Sequence, residues 1–466
     1  MKRRYLVLAI LLLILAVLGF LLFGGHDYRR ELEAYKKDLI AHGEKLTMLE
    51  LAPSDTNDPG PAKQFMAFMS NCFLPTSLPE GMKMVEPGRA RVLHTQSTQA
   101  DMLGYETNKS NVAVIHSLID GKKLNFALGY RKAGQLLYGT TIQALDLGDA
   151  SEAFQDLLTG VDLLNPLAPD HVLVTDLVRL TLVRIAFAAT WEFLQDNRWT
   201  DQQLARLQSA WQQNALPGIA SQSLRIERAF IIDSFDKYRK LPNGSDLLQA
   251  LPGTTRPWDV ASDINVVSIL GAKITDWYND YPRFWKWRQS WSYEEELVFL
   301  KQMTIVLQAV DMQRQNGSFE PAFTRMKQSL DNFNAAGLYH TNHTLFTYDA
   351  FQVLTKYISK AADIQAAITL TYSAIALERY HLAHNAYPEK LDQLVPAYIE
   401  KVPIDFMDGK PLRYSLRKDG TFLLYSVGEN GIDDGGDPSG GMPDWTKGLD
   451  IVWPTAITTN ASPSAN

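Results

Sequence analysis

The chain has 466 residues, of which 46% are hydrophobic, and a formal net charge of −7 at pH 7. At roughly 150 residues per domain, this length predicts two or three units with enough apolar material for packed cores. The acidic balance excludes a nucleic-acid-binding surface, which needs clustered lysines and arginines. The single cysteine, Cys72, excludes an internal disulfide and a thiolate metal site.

The N-terminus predicts a transmembrane helix. Residues 5–23 form an uncharged run directly behind Lys2, Arg3 and Arg4, and a helix of this length spans a bilayer core of about 30 Å. The run is longer than a signal-peptide core and lacks the small-x-small pattern of a cleavage site. We interpret residues 1–25 as an uncleaved signal anchor that passes once through a bacterial inner membrane, with the C-terminal bulk in the periplasm. The alternatives are a cleaved signal peptide and a buried soluble helix.

Residues 26–111 are predicted to be a stalk helix followed by an irregular linker. The stalk is indicated by charged residues with Leu32, Tyr35 and Leu39 at helical spacing. From residue 52 onward, proline, glycine, serine, threonine and asparagine recur and the hydrophobic period is lost, which is typical of a linker.

Residues 112–358 are predicted to form an α-helical domain. Most segments have a helical hydrophobic period and are separated by proline- and glycine-containing loops. Small residues at Ala144, Gly148 and Ala153 resemble part of a tetratricopeptide helix pair, in which they let two helices approach closely. A sustained repeat of about 34 residues is not visible, so we expect a generic helical domain rather than a solenoid.

The segment 276–293 is dense in aromatic residues, with basic residues interleaved. We predict that Trp285, Trp287 and Trp291 are mostly buried, because exposing all three would leave an unusually large apolar patch. The alternative is an exposed ligand platform or partner surface.

The last hundred residues begin with a helix that we expect to end near His384. Tyr387-Pro388 stops it, because the residue before a proline avoids the helical region. A short helix is expected at residues 391–395.

Three strands are predicted to follow, at residues 412–417, 421–426 and 449–453. Asp419-Gly420 supplies the positive φ of a tight hairpin turn between the first two. The module is therefore α+β with a three-stranded antiparallel sheet, and it is predicted to cover residues 359–454. Residues 455–466 are expected to be a disordered tail.

A long acidic loop at residues 427–448 separates the second and third strands. Its many glycines and like charges do not allow it to be held by apolar burial, so a cation is expected to organise it. Ca²⁺ takes six to eight oxygen ligands, and glycines let carbonyls and carboxylates wrap around it. The carboxylates oppose phosphate binding, and the spacing is not that of an EF-hand. The alternative is a solvated acidic loop without a metal.

A set of motifs recurs in order through this module: Leu377-Glu378-Arg379-Tyr380, Tyr387-Pro388, segment 405–411, segment 425–436 and Asp450-Ile451-Val452-Trp453. In the order and spacing of these motifs, about 90 residues resemble the globular head of the major pseudopilin of type II secretion systems.

The resemblance implies that the loop binds calcium. The ligands that it implies are Asn430, Asp433, Asp434, Asp450 and backbone carbonyls near Val427. Asn430 stands where the family has an aspartate, which removes one charge from the site. The chain also lacks the Gly-Phe-Thr-Leu-x-Glu start of pseudopilins, so the resemblance implies a shared module rather than a polymerising subunit.

Motifs of common enzymes, such as a nucleophile elbow, a Walker loop or His-Glu-x-x-His, do not occur. His381 and His384 could share a metal, but a solvated or capping role is preferred. Arg225, Glu227 and Arg228 are expected to form a structural ion-pair cluster rather than a catalytic site.

The first hypothesis for function is a membrane-anchored, non-enzymatic envelope protein with a calcium-stabilised, pseudopilin-like head. It is expected to have protein partners in the envelope and to be associated with a type II secretion or pilus-like apparatus. The second hypothesis is a helical scaffold or receptor in which the head is only a structural cap. The third is a hydrolase whose site is assembled from residues distant in sequence.

Overall fold

The computed structural model describes residues 27–51, 109, 112–116, 127–164, 173–215, 221–241, 285–335, 347–436 and 450–454. This part is mainly helical, with a small three-stranded antiparallel sheet near the C-terminal end, which confirms the predicted fold class at that level. The predicted anchor, most of the linker and the tail lie outside the described residues. In the described ranges, no helix has the length and hydropathy of a membrane span.

Ten α-helices can be named in chain order in the described residues. They are α1 (Tyr28–Ala41), α2 (Met48–Leu51), α3 (Ala127–Leu147), α4 (Ala150–Asp162), α5 (Leu173–Leu194), α6 (Asp201–Gln213), α7 (Ser221–Lys240), α8 (Ser292–Asn316), α9 (Glu320–Ala335) and α10 (Thr347–His384). A π-helical turn, Trp287–Trp291, precedes α8, and a 3-10 turn, Leu391–Leu394, follows α10.

Helices α3 and α4 form the hairpin that the small residues predicted. Gly148 adopts a φ of +79°, which reverses the chain after α3. Asp149 then caps α4 by accepting a hydrogen bond from the backbone N–H of Glu152. Ala144 and Ala153 are fully buried, as close helix packing requires.

Helix α5 is the centre of the helical body. Its sequence is apolar around most of its circumference, and it contacts α3, α4, α7 and α10. Trp191 and Phe193 of α5 are fully buried. One continuous cluster of buried side chains runs from α1 through these helices into the C-terminal sheet.

Helix α1 is present as predicted, but it packs along α8 instead of extending from the body as a stalk. Leu32 and Leu39 are buried, and the Tyr35 hydroxyl donates a hydrogen bond of 3.0 Å to Oγ1 of Thr304. The apolar stripe read from the sequence is therefore the face that this helix buries against α8.

The C-terminal sheet has the order β1-β2-β3, with β1 (Arg413–Leu416), β2 (Phe422–Ser426) and β3 (Ile451–Val452). All neighbours are antiparallel, and Gly420 has the positive φ expected of the turn. The predicted strands, the turn and the end of α10 at His384 are thus confirmed. The expected division at residues 358 and 359 falls inside α10, so the helical body and the head share one helix.

The head also docks on the body through its segment 403–411. The backbone N–H of Phe319, just before α9, donates to the carbonyl of Phe406 at 2.9 Å, and that of Glu320 donates to Met407 at 2.9 Å. At another contact, the indole N–H of Trp191 donates to the carbonyl of Pro454 at 2.8 Å. The head carbonyls therefore satisfy the N–H groups at the start of α9.

The three tryptophans near the π-helical turn have different environments. Trp287 is fully buried, and its indole N–H donates to Oε2 of Glu295 at 2.7 Å. Trp291 is partly exposed, and Trp285 is 47% exposed. The burial prediction was right for Trp287, because the π-helical turn packs against α1, α7 and α8, and it was wrong for Trp285, which precedes that turn.

Candidate functional site

The head is organised around the carboxylate of Asp405, which is fully buried. Its Oδ1 accepts hydrogen bonds from the backbone N–H of Met407 and the hydroxyl of Ser426, and its Oδ2 accepts one of 2.9 Å from the N–H of Val427. Burial raises the pKa of Asp405, although these hydrogen bonds oppose the rise. The carboxylate thus joins segment 403–411 to the end of β2, where the acidic loop begins.

Asp433 lies on the sheet side of the acidic loop. Its Oδ1 accepts hydrogen bonds from the Tyr425 hydroxyl at 2.8 Å and from the N–H of Gly435 at 3.1 Å. Nε of Arg413 lies 3.5 Å from its Oδ2. The hydrogen bond from Tyr425 and the charge of Arg413 lower the pKa of Asp433. The same guanidinium also donates to Oδ1 of Asp408 at 3.0 Å, so Asp433 shares the charge of Arg413 with Asp408.

Asn430, Asp434 and Asp450 form a second connected group in the loop. The Asn430 amide donates to Oδ2 of Asp434 at 3.1 Å, while its Oδ1 accepts from the N–H of Ile432. The Asp450 carboxylate accepts hydrogen bonds from the backbone N–H groups of Asp434 at 3.4 Å and Gly436 at 2.7 Å. Three of the predicted ligands, Asn430, Asp434 and Asp450, are therefore connected by hydrogen bonds.

The pKa of Asp450 reflects its burial and the crowding of negative charge in this group. Burial raises the pKa of Asp450, and the charges of Asp434 and Asp433 raise it further, against the two backbone hydrogen bonds. A cation bound among these oxygens would relieve that repulsion, and oxygen donors from amide and carboxylate groups suit Ca²⁺.

The described loop does not by itself form a complete metal site. Within the described residues, no group of three or more histidine, cysteine, aspartate or glutamate side chains is placed to hold a metal ion. Asp433 is directed toward Arg413 and Tyr425, and Val427 contributes its N–H to Asp405. Asp437 and Asp444 lie outside the described residues. Calcium binding therefore stays a prediction.

The two histidines near the end of α10 stack on aromatic rings. His381 stacks on Tyr387, with ring centroids 4.4 Å apart, and His384 stacks on Tyr380 at 4.0 Å. Nδ1 of His384 also lies 2.9 Å from the carbonyl oxygen of Tyr380. These contacts give both rings a role in the helix end.

The predicted ion-pair cluster on α7 is present with different members. Arg225 pairs with Glu44 at 2.9 Å and with Asp311 at 2.9 Å, and the fully buried Arg228 pairs with Glu44 at 2.7 Å. Glu227 is not among these ion pairs, and burial raises its pKa to about 7. The cluster connects the loop after α1 to α7 and α8.

A hydrogen-bonded relay that sequence reasoning missed joins His116 to α4. Nε2 of His116 lies 2.8 Å from Oδ1 of the fully buried Asp156, and Oγ1 of Thr159 lies 2.6 Å from Nδ1 of His116. Asp156 and Thr159 are three residues apart on one helical face, but His116 comes from 40 residues earlier than Asp156. The separation leaves no local signal by which the sequence could have revealed the contact.

Comparison with known proteins gives no relative to which this geometry can be compared. No family model, curated protein or solved structure matches the chain.

Proposed function

We propose that this chain is a membrane-anchored, non-enzymatic envelope protein that presents a pseudopilin-like head to a type II secretion or pilus-like apparatus. The observation that carries the proposal is the order of elements after α10. A helix end, a 3-10 turn and a β-hairpin are followed by residues 427–436 of the acidic loop and, further along the chain, by a short third strand, and this order supports the proposal.

Residues of the resembling motifs make contacts with one another in the head. The Tyr387 hydroxyl, in the Tyr-Pro motif, donates to Oε1 of Glu378 at 2.8 Å, which joins the helix stop to the Leu-Glu-x-Tyr motif. Asp405 binds the start of the acidic loop, and Asp450 binds its later part. These contacts support the proposal that the motifs act together as one structural module.

The head offers exposed apolar residues to a partner while its other side packs on the body. Ile432 is 60% exposed, and Ile404 and Leu416 are each 41% exposed. A head fixed to a helical body would hold such residues at a set distance from the membrane.

Co-purification of the whole chain from detergent extracts of its native cells tests this function. We expect components of a secretion or pilus-like apparatus to be enriched with the unaltered chain and depleted with Ile432→Glu. The matched control is Leu49→Glu, which charges an apolar residue of the helical body that is 90% exposed. Equal enrichment with both variants would favour the second hypothesis, a helical scaffold whose head is only a cap.

We also propose that Ca²⁺ stabilises the head through Asn430, Asp434 and Asp450. Burial raises the pKa of Asp450 and the charges of Asp434 and Asp433 raise it further, and a cation at this position would favour the charged carboxylate. A ligand that binds only the folded state adds about 2.7 kcal/mol at a hundredfold excess over its dissociation constant.

The calcium proposal is tested by thermal unfolding of the whole chain, because the core is continuous between body and head. We expect a higher melting temperature in millimolar Ca²⁺ than in chelator, and a smaller difference for Asp434→Ala. Asp392→Ala, at an exposed aspartate of the 3-10 turn, is the matched control. Identical melting curves with Ca²⁺ and with chelator would contradict the proposal that Ca²⁺ stabilises the head.

The relay of Thr159, His116 and Asp156 is the one observation that favours the third hypothesis, a hydrolase. A hydroxyl, an imidazole and a buried carboxylate in this order can activate a nucleophile. A fluorophosphonate reagent that labels Thr159 in the unaltered chain, but not in His116→Ala, would support hydrolysis. Absence of labelling would leave the relay as a link between residues 112–116 and α4.

A further inference from the structure

We propose that the end of the helical body next to the anchor rests on an anionic phospholipid surface. The surface consists of Arg29, Arg30, Trp285, Lys286 and Trp291, and we call it the basal surface. The inference rests on the proposed membrane anchor and adds a second contact with the bilayer, made by the folded body itself.

The N-terminal ends of α1 and α8 lie together. Tyr28 hydrogen-bonds to Glu294, and further along both helices Tyr35 bonds to Thr304 at 3.0 Å. Arg225 then bridges Glu44 and Asp311, further along both segments. The helices therefore run parallel, and the π-helical turn before α8 is at the same end as the start of α1.

Only a short stretch of chain separates that end from the predicted span. The predicted span ends at residue 23, and α1 begins at Tyr28. Five residues of extended chain reach at most about 18 Å, since each residue spans about 3.6 Å. The anchor would therefore hold the basal surface close to the headgroups.

The exposed residues at this end are of the types that bind a membrane surface. Trp285 is 47% exposed, Lys286 is exposed, and the Lys286 ammonium lies 4.8 Å from the ring centre of the partly exposed Trp291. Arg29 and Arg30 are exposed as well. Tryptophan is enriched at membrane interfaces, and lysine and arginine bind anionic headgroups, so the combination fits a bilayer surface.

The acidic residues at this end offset part of the positive charge. Asp27 pairs with Arg30 at 3.0 Å, and Glu294, which accepts a hydrogen bond from Tyr28, is a second negative charge. Arg29 lies over the ring of Tyr293, 5.7 Å from its centre, and so keeps its charge at the surface. The positive charge of the basal surface is therefore supplied by the exposed Arg29 and Lys286, and Trp285 is the exposed tryptophan next to Lys286.

Tryptophan quenching by brominated phospholipids tests the inference on the whole chain in proteoliposomes. The predicted span contains no tryptophan, so it cannot contribute to the signal. We expect brominated anionic lipid to reduce the emission, and Trp285→Phe to remove more than half of that reduction. Trp199→Phe, which replaces a buried tryptophan, should leave the reduction unchanged.

Charge variants test the anionic headgroup separately. In the unaltered chain, quenching should be stronger in anionic than in neutral brominated vesicles, and Lys286→Glu should remove that difference. Lys418→Glu, at an exposed lysine in the turn of the head, should retain it. Equal quenching of the unaltered chain in both lipids would overturn the role of the anionic surface.

Vesicle flotation distinguishes failure of this inference from failure of the anchor. A chain that floats with the vesicles while brominated and ordinary lipid give the same emission would overturn the basal contact and leave the anchor intact. A chain that does not float would overturn the anchor and the basal contact together.

Discussion

At the scale of single residues, several carboxylates are kept in environments that disfavour their charge. Glu378 is partly exposed as a whole residue, but its carboxyl group is buried. Burial raises the pKa of this carboxyl to about 7, and the hydrogen bond from Tyr387 opposes the rise. Burial acts in the same way on Glu227 of α7. Folding therefore favours the protonated form of each of these two carboxyl groups over its charged form.

This shift predicts how stability depends on pH. Because the pKa of Glu378 is higher in the folded than in the unfolded chain, the folded state binds more protons between about pH 4.5 and 7. The stabilisation is full below that window and is lost as pH rises through it. Glu378→Gln keeps an acceptor for Tyr387 without a charge, so at pH 8 it should raise the free energy of unfolding by about 1–3 kcal/mol.

Denaturant unfolding at pH 5 and pH 8 measures the effect. The gain from Glu378→Gln should be large at pH 8 and small at pH 5. Glu389→Gln, at an exposed glutamate of the same head, should change neither value. A gain of equal size at both pH values would show that burial of the charge is not its cause.

Asp405 gives a second prediction at this scale. Asp405→Ala leaves the N–H groups of Met407 and Val427 and the hydroxyl of Ser426 without their acceptor inside the head. Each buried group that loses its partner costs about 1–3 kcal/mol, so for three groups we expect a total loss of about 3–9 kcal/mol. Thermal unfolding checks this, with Asp405→Asn expected to lose less. A loss no larger than that of Asp392→Ala would contradict the central role of Asp405.

At the scale of elements, the sequence predicted best where the signals were local. Tyr387-Pro388 ends α10 near His384, and Asp419-Gly420 makes the hairpin turn, because these residues restrict the backbone at their own positions. The face of α1 was also readable from Leu32 and Leu39, but its packing on α8 was not. The partner Thr304 is 269 residues away from Tyr35, and no period in the sequence encodes such a contact.

The candidate site shows the same division between local and distant information. The acidic loop was visible as a cluster of like charges, and the structure brings Asp434 next to Asp450. The sequence did not show that Val427 donates its N–H to Asp405, nor that Arg413, which pairs with Asp408, also lies 3.5 Å from Asp433. Those pairings depend on how the β1-β2 hairpin folds over segment 403–411.

At the scale of the whole molecule, body and head share one core and one long helix. Trp453, beside β3, is buried and meets the ring of Phe187 of α5 edge-on, with ring centroids 5.2 Å apart. A side chain at this position ties the last strand to the centre of the body. We therefore expect the head and the described helices to unfold in one transition.

Trp453→Ala tests this coupling. Removing a buried tryptophan costs about 3–5 kcal/mol, and the loss should lower the melting temperature of the helical signal as well as that of the head. Far-ultraviolet circular dichroism follows the helices, and tryptophan fluorescence follows the tertiary packing. Two separate transitions in the unaltered chain, or an effect of the variant on only one of them, would show that the head is an independent domain.

We propose above all that the chain is anchored in the membrane, with its folded bulk in the periplasm. Fractionation of native cells, with protease added to intact cells, to cells with a permeabilised outer membrane and to lysed cells, tests it most directly. The account predicts that the chain stays with the membrane pellet after alkaline carbonate extraction, retains residues 1–25 on N-terminal sequencing, and is digested once the outer membrane is permeabilised. Recovery of a soluble form that lacks these residues, or protection of the bulk until the inner membrane is lysed, would contradict it.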